Sequence, residues 1–218
     1  MIRMLSMDLL DQDLQDINAS VTRMLSLVRE SCDLAKHALI DADTQAAELC
    51  VANDAKIDDL QAHLEQRILT VIARRQPAAS DLRFLGSAFQ SLADIERAGD
   101  YATHVARAGS ELAKQPPIKR YLDLERVLEI LDTMIETTIN ALVDPKVEIA
   151  REALEMDNEI DELYDQFVRE LLTFMLEDPQ KLTSALQLLN VARFLERIGD
   201  HLENVNEHII FWLTGERL

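Results

Sequence analysis

Apolar residues recur at spacings of three and four along most of the chain. Leu14, Ile17, Val21, Met24 and Val28 mark one face of a first helix. Ile57, Leu60, Leu64, Ile68 and Val71 mark a second, and Leu82, Leu85, Phe89 and Leu92 a third. The pattern then returns. Adding 103 to the second set gives Ile160, Leu163, Phe167, Leu171 and Phe174, and adding 100 to the third gives Leu182, Ala185, Leu189 and Ala192. Leu14, Ile17, Val21 and Met24 shift by 110 onto Leu124, Val127, Leu131 and Met134. A repeat of this kind requires each copy to fold as the same supersecondary unit.

The periodicity predicts helices near 8–39, 44–75, 80–114, 120–143, 146–177 and 180–213. Pro77, Pro145 and Pro179 mark helix junctions, and Pro116-Pro117 marks the boundary between copies. A helix of about 33 residues is roughly 50 Å long, and short connections make neighbours antiparallel. The fold class is all-α: two tandem antiparallel three-helix bundles, residues 1–116 and 117–218. Three helices expose a large apolar stripe, so the two copies are expected to pack on each other. Met4, Met7 and Met24 read as ordinary helix and core residues, and Trp212 as an anchor holding the last helix in the core.

Composition narrows the function. Five glycines and five prolines leave few turns, in keeping with long helices. With 22 Lys and Arg against 40 Asp and Glu the net charge is −18, which disfavours nucleic acid and anionic membranes as partners. Cys32 and Cys50 lack CxxC spacing and read as free thiols in a reducing compartment. The first ten residues lack a signal-peptide core, and the apolar run Ile209–Leu213 is far short of a membrane span. The reading is a cytoplasmic protein with no membrane insertion.

One short phrase survives the repeat with its chemistry intact. Glu96-Arg97-Ala98-Gly99-Asp100 returns as Glu196-Arg197-Ile198-Gly199-Asp200. Side chains four apart share a helix face, so each phrase presents a carboxylate pair, and the stripe continues to His104 in one copy and to Asn204 and His208 in the other. The preceding helices carry their own pairs, Asp54 with Asp58 and Asp157 with Asp161. Like charges so spaced cost only about 0.2–0.5 kcal/mol per pair, so energy alone does not demand a cation. Solvated acids paired with Arg97, Arg197 or Arg193 are the plain alternative. Yet the glutamates continue the apolar seam, and a mid-helix glycine costs about 1 kcal/mol against alanine, which points to close approach at Gly99 and Gly199. Such oxygen donors suit iron, manganese or magnesium, and a nearby histidine suits iron or zinc. No histidine has a glutamate three residues before it, which argues against a ferritin-like di-iron centre. No phosphate-cradling glycine loop, GxSxG or HExxH is present, so the chain is not expected to be an enzyme.

At these residues the chain resembles the PhoU family. The specific matches are Ala73-Arg74-Arg75-Gln76-Pro77-Ala78-Ala79-Ser80-Asp81-Leu82-Arg83, Asp94 to Asp100, Ala192 to His201, and the closing Thr214-Gly215-Glu216. The resemblance implies two three-helix bundles and a negative regulator of high-affinity phosphate uptake and phosphate-starvation signalling. It implies an adaptor between the ATPase subunit of the phosphate ABC transporter and a phosphate-sensing histidine kinase, with a homodimer expected. It also implies divalent or ferric metal, iron foremost and zinc, manganese or magnesium as alternatives. The residues implied as metal ligands are Asp54, Asp58, Glu96, Asp100, Asp157, Asp161, Glu196, Asp200 and Asn204. A metal-dependent enzyme or metal store on the same carboxylates, and a purely structural scaffold, are the competing readings.

Overall fold

The computed structural model describes residues 9–217. Met4, Met7 and Asp8, the first residue of the expected first helix, lie outside them. Six long α-helices follow in order: α1 (Leu9–Ile40), α2 (Thr44–Arg75), α3 (Ala79–Leu112), α4 (Leu122–Val143), α5 (Val147–Glu177) and α6 (Leu182–Thr214). A 3₁₀ turn, Pro179–Lys181, precedes α6, so that helix begins two residues later than expected. The third helix ends at Leu112, and turns carry the chain on towards Pro116-Pro117. Helices α1–α3 pack on one another, as do α4–α6. Among the described residues no helix is long and apolar enough to cross a membrane.

The helices start and stop for local reasons. Asp43 caps α2 by accepting from the backbone N–H groups of Gln45 and Ala46, which satisfies donors that the first turn leaves free. Gly215 ends α6 at φ +79°, a conformation glycine adopts without strain. The core is aliphatic, with Ile17, Met24, Leu25, Ile57, Leu64, Leu85, Ile95 and Leu131 fully buried. Burial pushes the Cys32 and Cys50 thiols up, which leaves both as unreactive core groups.

The structure corrects one register. Shifted by 103, the buried residues Val21, Met24, Leu25, Val28, Cys32, Ala38 and Leu39 of α1 land on Leu124, Val127, Leu128, Leu131, Ile135, Ala141 and Leu142, all buried in α4. The offset of 110 is therefore seven residues out. Seven residues are nearly two helical turns, so a slip of one heptad preserves the apolar pattern. Leu122 then corresponds to Ala19, and residues 9–18 of α1 extend beyond anything in the second copy.

Each unit meets the other through equivalent helices, α3 against α6 and α1 against α4. On one half of the α3–α6 seam, Asp94 accepts from His201 Nδ1 at 2.9 Å and Asn204 Nδ2 at 3.1 Å, with His208 Nε2 at 3.5 Å. Burial alone would raise the Asp94 carboxyl, but these donors hold it well below the usual carboxylate range. On the other half Phe194, the counterpart of Asp94, stacks on Tyr101 and His104 with ring centroids 5.8 and 5.1 Å away. Across α1–α4, Arg29 donates to both oxygens of Asp132, at 2.5 and 2.8 Å, and to Glu136 at 2.9 Å. Trp212 is half-buried and packs against the core where α6 meets α3, its ring 4.8 Å from Phe84.

Candidate metal centre

Antiparallel packing of α2 on α3 brings Asp54 and Asp58 towards Glu96 and Asp100. The same packing of α5 on α6 brings Asp157 and Asp161 towards Glu196 and Asp200. The carboxyls feel one another. Burial and then the charges of Asp100 and Asp58 push Asp54 up, while burial and then Asp100 do the same to Glu96. In the second cluster burial and then Asp161, Glu203, Asp200 and Glu196 push Asp157 up to about 7. Burial, followed by Asp200, also raises Asp161 and Glu196. This is like-charge repulsion at sites half withdrawn from water.

The repeated glycines make room for this arrangement. A Cβ at Gly199 would overlap the Asp157 carboxylate, and one at Gly99 would lie 2.8 Å from Ile57 Cδ1. Asp157 is 7% exposed, and its Oδ1 is buried with no hydrogen-bond partner. A buried polar atom left unpaired costs about 1–3 kcal/mol, more when charged. Other acids are partly answered: Arg97 bridges Glu96 and Asp100 at 3.7 and 3.2 Å, and Arg197 bridges Glu196 and Asp200 at 3.6 and 2.9 Å. Among the described residues no three His, Cys, Asp or Glu side chains converge as a ready-made metal site.

Two site residues fall differently from the sequence reading. Asn204 donates to Asp94 on α3, across the seam, and so lies outside the second cluster. His104 joins the aromatic half of the seam. The α6 residue that enters the cluster is Glu203, whose carboxyl burial raises first, followed by Glu207, Asp200 and Asp161. It lies three residues past Asp200, an alternative to four that helical geometry allows equally. Its counterpart is Thr103, whose hydroxyl lowers the Asp54 carboxyl, and the counterpart of Glu207 is Arg107, whose charge lowers it too. The clusters therefore differ through 103/203 and 107/207, not through His104 and Asn204. The second fits a cation better, because it has more acid, an orphaned buried oxygen and no hydroxyl donor in that place.

Comparison with known proteins agrees with this architecture. The PhoU domain matches the chain twice, over residues 21–109 and 124–209; the starts differ by 103, as the buried residues require. A phosphate-specific transport system accessory protein PhoU homolog of Deinococcus radiodurans is 41% identical over 208 residues, covering 95% of this chain and 98% of that protein. The Aquifex aeolicus homolog of the same description is 37% identical, covering 94% and 93%. The crystal structure of PhoU from Pseudomonas aeruginosa superposes with a TM-score of 0.91 at 32% identity, over 94% of this chain and 99% of that one. That of the phosphate transport system regulatory protein PhoU from Streptococcus pneumoniae gives 0.89 at 26% identity, over 96% and 99%. On the match of both repeats and on identity across nearly its whole length, the chain belongs to the PhoU family.

Proposed function

We propose that this chain is an accessory regulator of phosphate transport that restrains high-affinity uptake and phosphate-starvation signalling. The relatives described as transport accessory proteins support this reading over nearly the whole chain. In it the chain acts without catalysis, as an adaptor between the transporter ATPase and the phosphate-sensing kinase, and as a homodimer in the cytoplasm. The seam ties α3 to α6 and α1 to α4, so the long helices offer two extended faces of fixed relative orientation. Docking on such faces is specific and withstands moderate salt, which screens exposed charges beyond about 8–10 Å.

The second acid cluster is the proposed metal site, and the observation that carries it is the buried, unpaired oxygen of Asp157. Asp157, Asp161, Glu196, Asp200 and Glu203 would hold a divalent or ferric ion, iron foremost. A bound cation would neutralise the carboxylates and link α5 to α6, which Arg197 does not do because it bridges Glu196 and Asp200 within α6. Asp54, Asp58, Glu96 and Asp100 form a weaker site beside Thr103. Elemental spectrometry on the purified protein tests the metal, with Glu196→Ala/Asp200→Ala expected to lower its stoichiometry while the circular dichroism stays native. Unchanged metal content in that variant rejects the site. Deletion of the gene with a starvation-gene reporter tests the regulatory role: expression in phosphate-rich medium is expected, and normal repression rejects it.

A further inference from the structure

A surface groove lies away from both acid clusters, at the end of the first bundle. It encloses about 450 Å³ between α1 and the last turns of α2, lined by Asp13, His63, Gln66, Arg67, Thr70, Val71, Arg74 and Arg75. On a chain of net charge −18 three arginines line it against one aspartate. Asp13 shows what they can hold: its carboxylate takes Arg75 Nε at 3.0 Å and lies 3.9 Å from Arg67 Nη2. Arg67 also reaches Asp16 at 2.7 Å.

The internal repeat provides a control within the same molecule. Shifted by 103, Arg67, Arg74 and Arg75 become Glu170, Glu177 and Asp178. All three basic positions are acidic in the second copy. There Lys119 occupies the corresponding end, paired with Asp123 and Glu170. The groove also depends on residues 9–18 of α1, which have no counterpart in the second copy. The basic end is thus a property of the first unit alone and not something the bundle needs at each such end.

We propose that this groove binds a small polyanion of the inorganic polyphosphate class. Guanidinium groups recognise phosphoryl oxygens through paired hydrogen bonds, and Arg67, Arg74 and Arg75 converge on one space large enough for several linked groups. His63 is the one ring of the lining and Val71 its one aliphatic side chain, so most of what a ligand meets there is charge. Thr70 donates to the Gln66 backbone carbonyl and is not a free donor; the Gln66 side-chain amide and the His63 ring are the remaining donors beside the arginines. Binding displaces Asp13 from Arg75 and exchanges an internal carboxylate for an external anion.

Titration calorimetry of the full chain with tripolyphosphate in chelator-treated buffer tests this. Saturable binding is expected, weakened at least about tenfold in Arg74→Glu/Arg75→Glu, which installs the second copy's charges. Arg74→Gln/Arg75→Gln, milder for the helix end, should weaken it in the same direction with native circular dichroism. Glu196→Ala/Asp200→Ala should leave it unchanged, which separates the groove from any metal-bridged contact at the acid cluster. No saturable binding at millimolar ligand overturns the proposal. So does binding that survives both arginine variants, or that is lost only in the acid-cluster variant. Equal affinity for a hexaglutamate peptide also overturns it, since the groove would then be an acidic-peptide site.

Discussion

Replacing Asp157 with asparagine should make the metal-free protein more stable, and increasingly so as pH rises. The carboxyl is pushed up to about 7 in the folded chain by burial and then by Asp161, Glu203, Asp200 and Glu196. In the unfolded chain it titrates at about 3.9. Because the folded value is the higher one, the folded state holds the proton more tightly, and stability falls as pH rises between the two values and then levels off. A difference of about 3 units corresponds to roughly 4 kcal/mol at full development. About half of that has developed by about pH 5.5, so the advantage of Asp157→Asn should grow by about 2 kcal/mol between about pH 5.5 and about pH 8. Urea unfolding of both proteins in chelator, at the two pH values, measures it. Adding a divalent cation should narrow the difference: a ligand at a hundredfold its dissociation constant stabilises by about 2.7 kcal/mol, and the asparagine variant should gain less. An advantage that does not change with pH would refute the buried, repelled carboxylate.

Two glycines should respond in opposite directions to alanine. A Cβ at Gly109 lies 2.8 Å from the backbone of Ala38 and Leu39, so Gly109→Ala should destabilise by about 1–3 kcal/mol; at Gly86 nothing lies within 4 Å, so Gly86→Ala should stabilise by about 0.5–1 kcal/mol. Equilibrium unfolding distinguishes them, and equal signs would contradict the packing. Exchanging the residues that separate the clusters should exchange their metal affinity: Glu203→Thr should weaken the second and Thr103→Glu strengthen the first. Stoichiometry measured by elemental spectrometry in each single variant checks this.

The helices were legible because the sequence leaves them few places to end. Three- and four-residue spacing over some thirty positions, broken by single prolines, admits little but long antiparallel helices, and the boundaries moved by only one or two residues. The pairing of α1 with α4 was not legible. Apolar faces seven residues apart look alike, and only burial in three dimensions separates an offset of 103 from one of 110. The carboxylate pairs could be read from i,i+4 spacing, which brought Asp157 and Asp161 onto the helix facing Glu196 and Asp200. Asn204 was placed in the cluster by extending that stripe, whereas the helix turns about 100° per residue and carries position 204 round to Asp94. Glu203 lies three residues past Asp200, a spacing that the i,i+4 pattern does not mark. Whether an acid finds a partner depends on the neighbouring helix, which no spacing along one helix reveals.

The seam between the units has the form of a dimer interface folded into one chain. Each helix of the seam meets its own duplicate, so the contact carries a pseudo-twofold axis, as an isologous homodimer does. Its two halves have since diverged: Asp94 with His201 and Asn204 on one side, Phe194 with Tyr101 and His104 on the other. Two first units brought together would set Asp94 against Tyr101 and His104, and two second units would set Phe194 against His201 and Asn204. Neither pairing reproduces the contacts of the present seam. The divergence therefore makes each half choose the other half of its own chain, so the pair stays intramolecular and the outer faces of the helices are left for other partners.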